Sequence, residues 1–143
     1  PDTWDGYPWA RERLYDLARK AGAADLIFLT GDSHSFWANS LKDGAGRPAG
    51  VELGTAGITS PGDFVESGFG DELSRALDKA FADHIPEVMW TDNMHQGYVR
   101  LDLQRTAAEA TFIAVDTIRS RSFRPFIVNR FAIVREGSAI GFA

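Results

Sequence analysis

Asp32 and His34, two positions apart, are the residues of this chain best placed to do chemistry. A carboxylate offers hard oxygen and an imidazole offers nitrogen, so the pair has the donors of a transition-metal ligand set. Ser33 and Ser35 add hydroxyls on either side of His34. Without a metal, Asp32 reads as a turn residue or helix N-cap, and His34 as a hydrogen-bonded loop histidine. The spacing Asp-x-His does not by itself separate these readings. His84 and His95 are outlying ligand candidates, with a capping or core role for His84 and a surface position for His95 as the alternatives. Arg119, Arg121 and Arg124 carry guanidinium groups suited to a phosphate ester or simply to a solvated basic loop. Thr55, Thr59 and Ser60 lie near glycines, where backbone amides can approach an anion or form a tight turn. No side chain stands out as a nucleophile.

These residues need elements to hold them. Residues 26–30, LIFLT, form an apolar run that predicts a central strand buried on both faces. Gly31 ends it and places Asp32 and His34 in the loop at its carboxyl end. Upstream, Pro8 and the spacing of Leu14, Leu17, Ala18 and Ala21 predict an amphipathic helix over residues 9–21, stopped at Gly22. Asp2, Thr3 and Asp5 are candidate caps at its entry. Trp4 and Tyr7 fit either an aromatic staple or a wall of a substrate mouth.

Downstream, residues 36–41 fit a short helix or an extended segment, with Asn39 either a hydrogen-bonding neighbour of the site or a turn residue. Residues 42–49, KDGAGRPA, predict an exposed turn of variable conformation, and residues 51–55 a strand forming a hairpin across it. Residues 63–69 read as a loose linker. The apolar stripe Leu73, Ala76, Leu77, Ala80 and Phe81 predicts a helix over 70–81, closed off by Pro86. Residues 87–96 look irregular. Alternation over 98–103 places Val99, Leu101 and Leu103 on one face of a strand, paired with residues 110–116 across a turn near 106–109. Residues 127–134 predict a last strand.

The chain has 143 residues, enough for one domain with a core of its own. Fifteen Lys and Arg against twenty Asp and Glu give a net charge of −5, which argues against nucleic acid or a bilayer as a stable partner. There is no cysteine, so neither a disulfide nor a thiolate ligand arises here. No apolar run approaches a membrane span, and no signal-peptide pattern is visible. A first residue of Pro1 rather than Met suggests a processed or cut piece of a longer protein.

Four segments carry a resemblance: WDGYPWARERL, LTGDSHSFWAN, GVELGTAGITSPG and HQGYVRLDL. In this order they resemble the C-terminal part of the PhoD-like alkaline phosphatases, within the metallophosphoesterase superfamily, and they span most of residues 4–103. The resemblance implies an α/β fold: the C-terminal portion of a calcineurin-like α/β/β/α sandwich, with two main helices and about six strands. It implies that residues 1–143 are one domain, a C-terminal fragment of a longer enzyme. The implied activity is hydrolysis of phosphate mono- or diesters by metal-activated water. The implied cofactors are two or more divalent or trivalent ions, either iron and calcium as in similar proteins or zinc and manganese.

Similar enzymes carry Gly-His-x-His at a late strand end, where this chain reads Gly31-Asp32-Ser33-His34. The match makes His34 a metal ligand, and Asp32 either a ligand or the partner that orients His34. Most other ligands in such enzymes come from loops upstream, so the segment alone is expected to be inactive. The resemblance suggests a secreted or periplasmic setting. The competing reading is a non-catalytic structural domain that self-associates through an exposed sheet edge.

Overall fold

Strand residues that alternate between apolar and polar need a second apolar face to cover them, and this chain supplies it with a second sheet. The computed structural model describes residues 4–23 and 25–143. The first sheet holds β1 (Ile27–Thr30), β2 (Phe36–Lys42), β3 (Pro48–Gly54) and β4 (Val88–Asp92), in the spatial order β1-β3-β2-β4. β1 runs parallel to β3, and the other neighbours are antiparallel. The second sheet is an antiparallel meander of β5 (Gly97–Leu103), β6 (Ala107–Val115), β7 (Pro125–Glu136) and β8 (Ala139–Phe142).

The core lies between the sheets. Phe36, Ala38, Val51 and Leu53 from the first meet Ala108, Ala110, Phe112 and Ile133 from the second. Phe112 is wholly buried and stands edge-on to Phe36, Trp90 and Phe131, at ring-centroid distances of 5.6, 4.9 and 5.9 Å. Each such pair adds about 0.5–1.5 kcal/mol beyond the burial itself. On its other face the first sheet carries the helices. In α1 (Pro8–Lys20), Tyr15 packs edge-on against Phe28 of β1. A short α2 (Asp63–Glu66) precedes α3 (Asp71–His84), whose Phe81 lies 5.4 Å from Trp37 of β2. The result is a helix–sheet–sheet stack, a partial form of the expected α/β sandwich.

Several details differ from the expectations. The described residues form eight strands rather than about six. Residues 88–92 pair with β2 as β4 instead of staying irregular, and β8 follows the strand expected to be last. β1 is an edge strand and not a central one: its described partner is β3 alone, and Leu29 is 66 % exposed. Its apolar run reflects three different environments. Ile27 touches the inter-sheet core, Phe28 meets α1, and Leu29 faces outward. Residues 36–41 are extended within β2. The segment expected to be a loose linker folds into α2, whose Ser67 hydroxyl donates to the Asp63 carbonyl. The two main helices run over 8–20 and 71–84, and the β5–β6 turn falls at 104–106, slightly displaced from the readings above. Leu103, expected inside, is exposed.

The β2–β3 turn is not variable either. The buried carboxylate of Asp43 accepts from the Ala45 and Arg47 amides at 3.0 and 2.9 Å and from Arg47 Nε at 2.7 Å. It also accepts from Arg19 Nη2 of α1 at 2.5 Å. Burial pushes this carboxyl up, but the Arg47 and Ala45 contacts outweigh burial and lower its pKa to about 2. One side chain thus closes the hairpin and fastens the helix to it. The cap candidates Asp2 and Thr3, and the side chain of Asp5, lie outside what the structure describes.

Candidate functional site

The parallel pairing of β1 with β3 ends at Thr30, and the next residues leave the sheet in an unusual conformation. Asp32 and His34 both have positive φ, 73° and 52°. Non-glycine residues enter this region rarely, at a cost of order 1–3 kcal/mol when the surroundings impose it. Here the surroundings do so. The Ser33 amide donates to the Gly31 carbonyl at 2.9 Å, and the Trp37 indole N–H donates to the Ser33 hydroxyl at 2.9 Å. The Ser35 hydroxyl donates to Oδ1 of Asn93 at 2.6 Å in a fully buried contact.

His34 is half-buried. Its Nδ1 lies 3.2 Å from Oδ1 of Asp63, yet this buried nitrogen makes no hydrogen bond. Asp32 is exposed on the same loop. The carboxylate that meets the imidazole is therefore Asp63, the first residue of α2, which sequence reading assigned to a linker. Its signal was the Gly-Asp step after Pro61 that opens a helical turn. Gly62 is what lets α2 come so close. A Cβ there would stand 3.1 Å from the Asn93 carbonyl oxygen and 3.4 Å from both the His34 carbonyl oxygen and Gln96 Nε2. Three segments, 34–35, 62–63 and 93–96, thus converge behind the imidazole.

Whether these residues suit a metal can be judged from the donors. His34 offers an imidazole, with Asp63 beside its Nδ1 and Asp32 on the same loop as carboxylates. Among the described residues no three His, Asp or Glu side chains are gathered closely enough to hold an ion. The donors fit one corner of a metal centre, and no complete centre is present among the described residues.

Next to this corner lies a second histidine–carboxylate pair. Asp92 Oδ2 is 2.7 Å from Nδ1 of His95, and its Oδ1 accepts from the Met94 and His95 amides at 2.9 and 3.0 Å. The His95 ring stands edge-on to Phe126. The hydrogen bond to Asp92 raises the His95 pKa above its ordinary value, with burial opposing. Burial raises that of Asp92, but the hydrogen bonds from His95 and Met94 outweigh it and hold the carboxyl low. His95 is thus a paired residue, half-buried at the surface with 31 % of its side chain exposed. Asp78 of α3 is pushed up, chiefly by burial, with the charge of Asp92 adding to it and its hydrogen bond from Asn93 opposing.

The remaining candidates lie apart from the site or take structural roles beside it. His84 is exposed at the end of α3. Arg119 and Arg121 lie on an exposed loop, and Arg124 pairs with Asp116 at 3.2 Å. The Thr55 hydroxyl donates to its neighbour's carbonyl, as a structural turn would have it. Trp4 packs edge-on to Phe28 and so serves as a staple. Asn39 donates to Glu52 on the helix-facing side of the first sheet.

Comparison with known proteins agrees with this architecture. The chain is 30 % identical over 103 residues to Alkaline phosphatase D of Bacillus subtilis (strain 168), a match covering 69 % of this chain and 16 % of the relative. The solved structure titled "Structure of PhoD" superposes with a TM-score of 0.74 at 20 % identity, over 99 % of this chain and 26 % of that one, and so shares the fold. The chain therefore spans about a sixth of its curated relative and about a quarter of the solved structure. The profile of the PhoD-like phosphatase family matches residues 1–112, and the chain belongs to that family.

Proposed function

We propose that this chain is the C-terminal segment of a longer metal-dependent phosphatase or phosphodiesterase, to which it contributes the His34 loop. The observation that carries this reading is the imidazole of His34, set beside the Asp63 carboxylate at 3.2 Å on a loop held at positive φ at the end of β1. A carboxylate beside Nδ1 orients the ring and leaves Nε2 as the nitrogen to meet an ion. Asp32, exposed on the same loop, is the second ligand, and the orienting role also expected for it falls to Asp63 beside the imidazole. Two or more ions, iron and calcium or zinc and manganese, would supply the Lewis acid and activate the attacking water. The phosphate ester is the substrate. The further donors would come from the rest of the longer enzyme.

The test is His34→Ala in the complete phosphatase. Metal content at one position should fall, and hydrolysis of a nitrophenyl phosphate ester should slow by at least about 100-fold, because affinity depends on ligand number. Unchanged stoichiometry and turnover would refute the assignment. The second reading, a self-associating structural domain, is favoured by the edge position of β1 among the described residues and by the exposed Leu29.

A further inference from the structure

We propose that Asn93 is a positioning residue that locks the His34 loop to α3 through Ser35 and Asp78; the inference rests on the reading of His34 as a metal ligand. Asn93 is wholly buried just beyond β4; its side chain links Ser35 and Asp78 on opposite sides and also makes a long contact, 3.5 Å, to the Thr91 hydroxyl. Its Oδ1 accepts the Ser35 hydroxyl at 2.6 Å, and Ser35 is itself 1 % exposed and adjacent to His34. Its Nδ2 donates to Oδ1 of Asp78, which also accepts the Asn93 backbone amide at 3.2 Å. The Asn93 carbonyl oxygen lies against Gly62, whose neighbour Asp63 meets the imidazole.

An amide suits this position because it accepts on one side and donates on the other. A carboxylate at 93 would face Asp78 with like charge, and an alanine would leave the Ser35 hydroxyl buried without an acceptor. The hub fixes the loop on one side through Ser35 and α3 on the other through Asp78, while the Asn93 backbone carbonyl packs close to Gly62. The strained backbone at His34 is then maintained by contacts outside the loop.

The chain has three histidines, so the imidazole resonances of His34 are resolvable by NMR in the 143-residue protein. Ser35→Ala and Asn93→Ala should each shift and broaden the His34 signals while leaving those of His84 in place. The double variant should be no worse than the stronger single one, because both remove the same link. Asp78→Asn keeps an acceptor oxygen and should preserve the wild-type signals, whereas Asp78→Ala should not. Ile133→Val, a core change in the second sheet, controls for general loosening and should leave His34 unmoved. If Asn93→Ala does not fold, Ser35→Ala decides alone.

In the complete phosphatase, Ser35→Ala should lower kcat by about 10–100-fold with KM within about twofold of wild type. Wild-type His34 signals in folded Ser35→Ala would overturn the proposal. If the signals move but His34→Ala leaves metal content intact, the metal reading has failed and the positioning has not.

Discussion

Asp92 and His95 form the pair whose charge states can be read most directly. The folded pKa of His95 is raised above 6.5, so its pairing stabilises the fold fully below 6.5 and is lost as pH rises through the raised value. The folded pKa of Asp92 is lowered below 3.8, so its contribution is present above 3.8 and is lost as pH falls through the lowered value. The pair therefore favours the fold between those limits. His95→Gln should remove the alkaline part. Between about pH 6 and about pH 9 the Tm of wild type should fall more than that of the variant. Parallel curves would show that His95 is not charged in the fold. In Asp92→Asn the imidazole should titrate closer to 6.5, readable from its own resonance. His95 belongs to the HQGY segment noticed in the sequence, but its partner could not be read there as an ion pair. An Asp three residues before a His is common in surface loops, and the burial that gives this one weight comes from Phe126, far along the chain.

The strands divide energetically according to which face they present. Phe112 of β6 is wholly buried among Phe36, Trp90 and Phe131, and Phe112→Ala should cost about 3–5 kcal/mol in denaturant unfolding. Leu29→Ala on the exposed side of β1 should stay within about 0.5 kcal/mol. Comparable losses would mean that β1 is covered in solution. Local signals made several elements readable. The Gly- and Pro-rich 42–49 segment identified the β2–β3 hairpin, Pro8 and Gly22 bracketed α1, and alternation in 98–103 revealed β5. β4 was missed because VMWTD owes its strand state to β2, with Trp90 opposite Ala38, and not to any pattern of its own. The misplacement of β1 has a similar origin: an apolar run records how much surface is covered but not what covers it. At the site, the Asp32–His34 loop was visible at a strand end, whereas the approach of Asp63 and the Asn93 hub depend on tertiary convergence at Gly62.

Taken as a molecule, the two sheets share one core, and the chain has what it needs to fold: a continuous buried cluster and helices fastened by Asp43 and by the Phe28 and Trp37 contacts. Its described residues do not gather a full set of metal donors. A pair of ions with open positions for substrate and water needs about five or six protein ligands. This chain gathers His34 and Asp63, with Asp32 on the same loop, and no cluster of three among the described residues. The 143-residue protein should therefore be folded, bind added manganese or zinc weakly, and show negligible turnover of a nitrophenyl phosphate ester. Sedimentation of the same preparation addresses the β1 edge: concentration-dependent association would accompany a self-pairing strand, and Leu29→Lys should abolish it. Robust turnover that a chelator removes would contradict the donor count directly. It would mean either that residues assigned to the surface rearrange around an ion or that two copies pool their ligands, and the second case would require activity to rise with the dimer fraction.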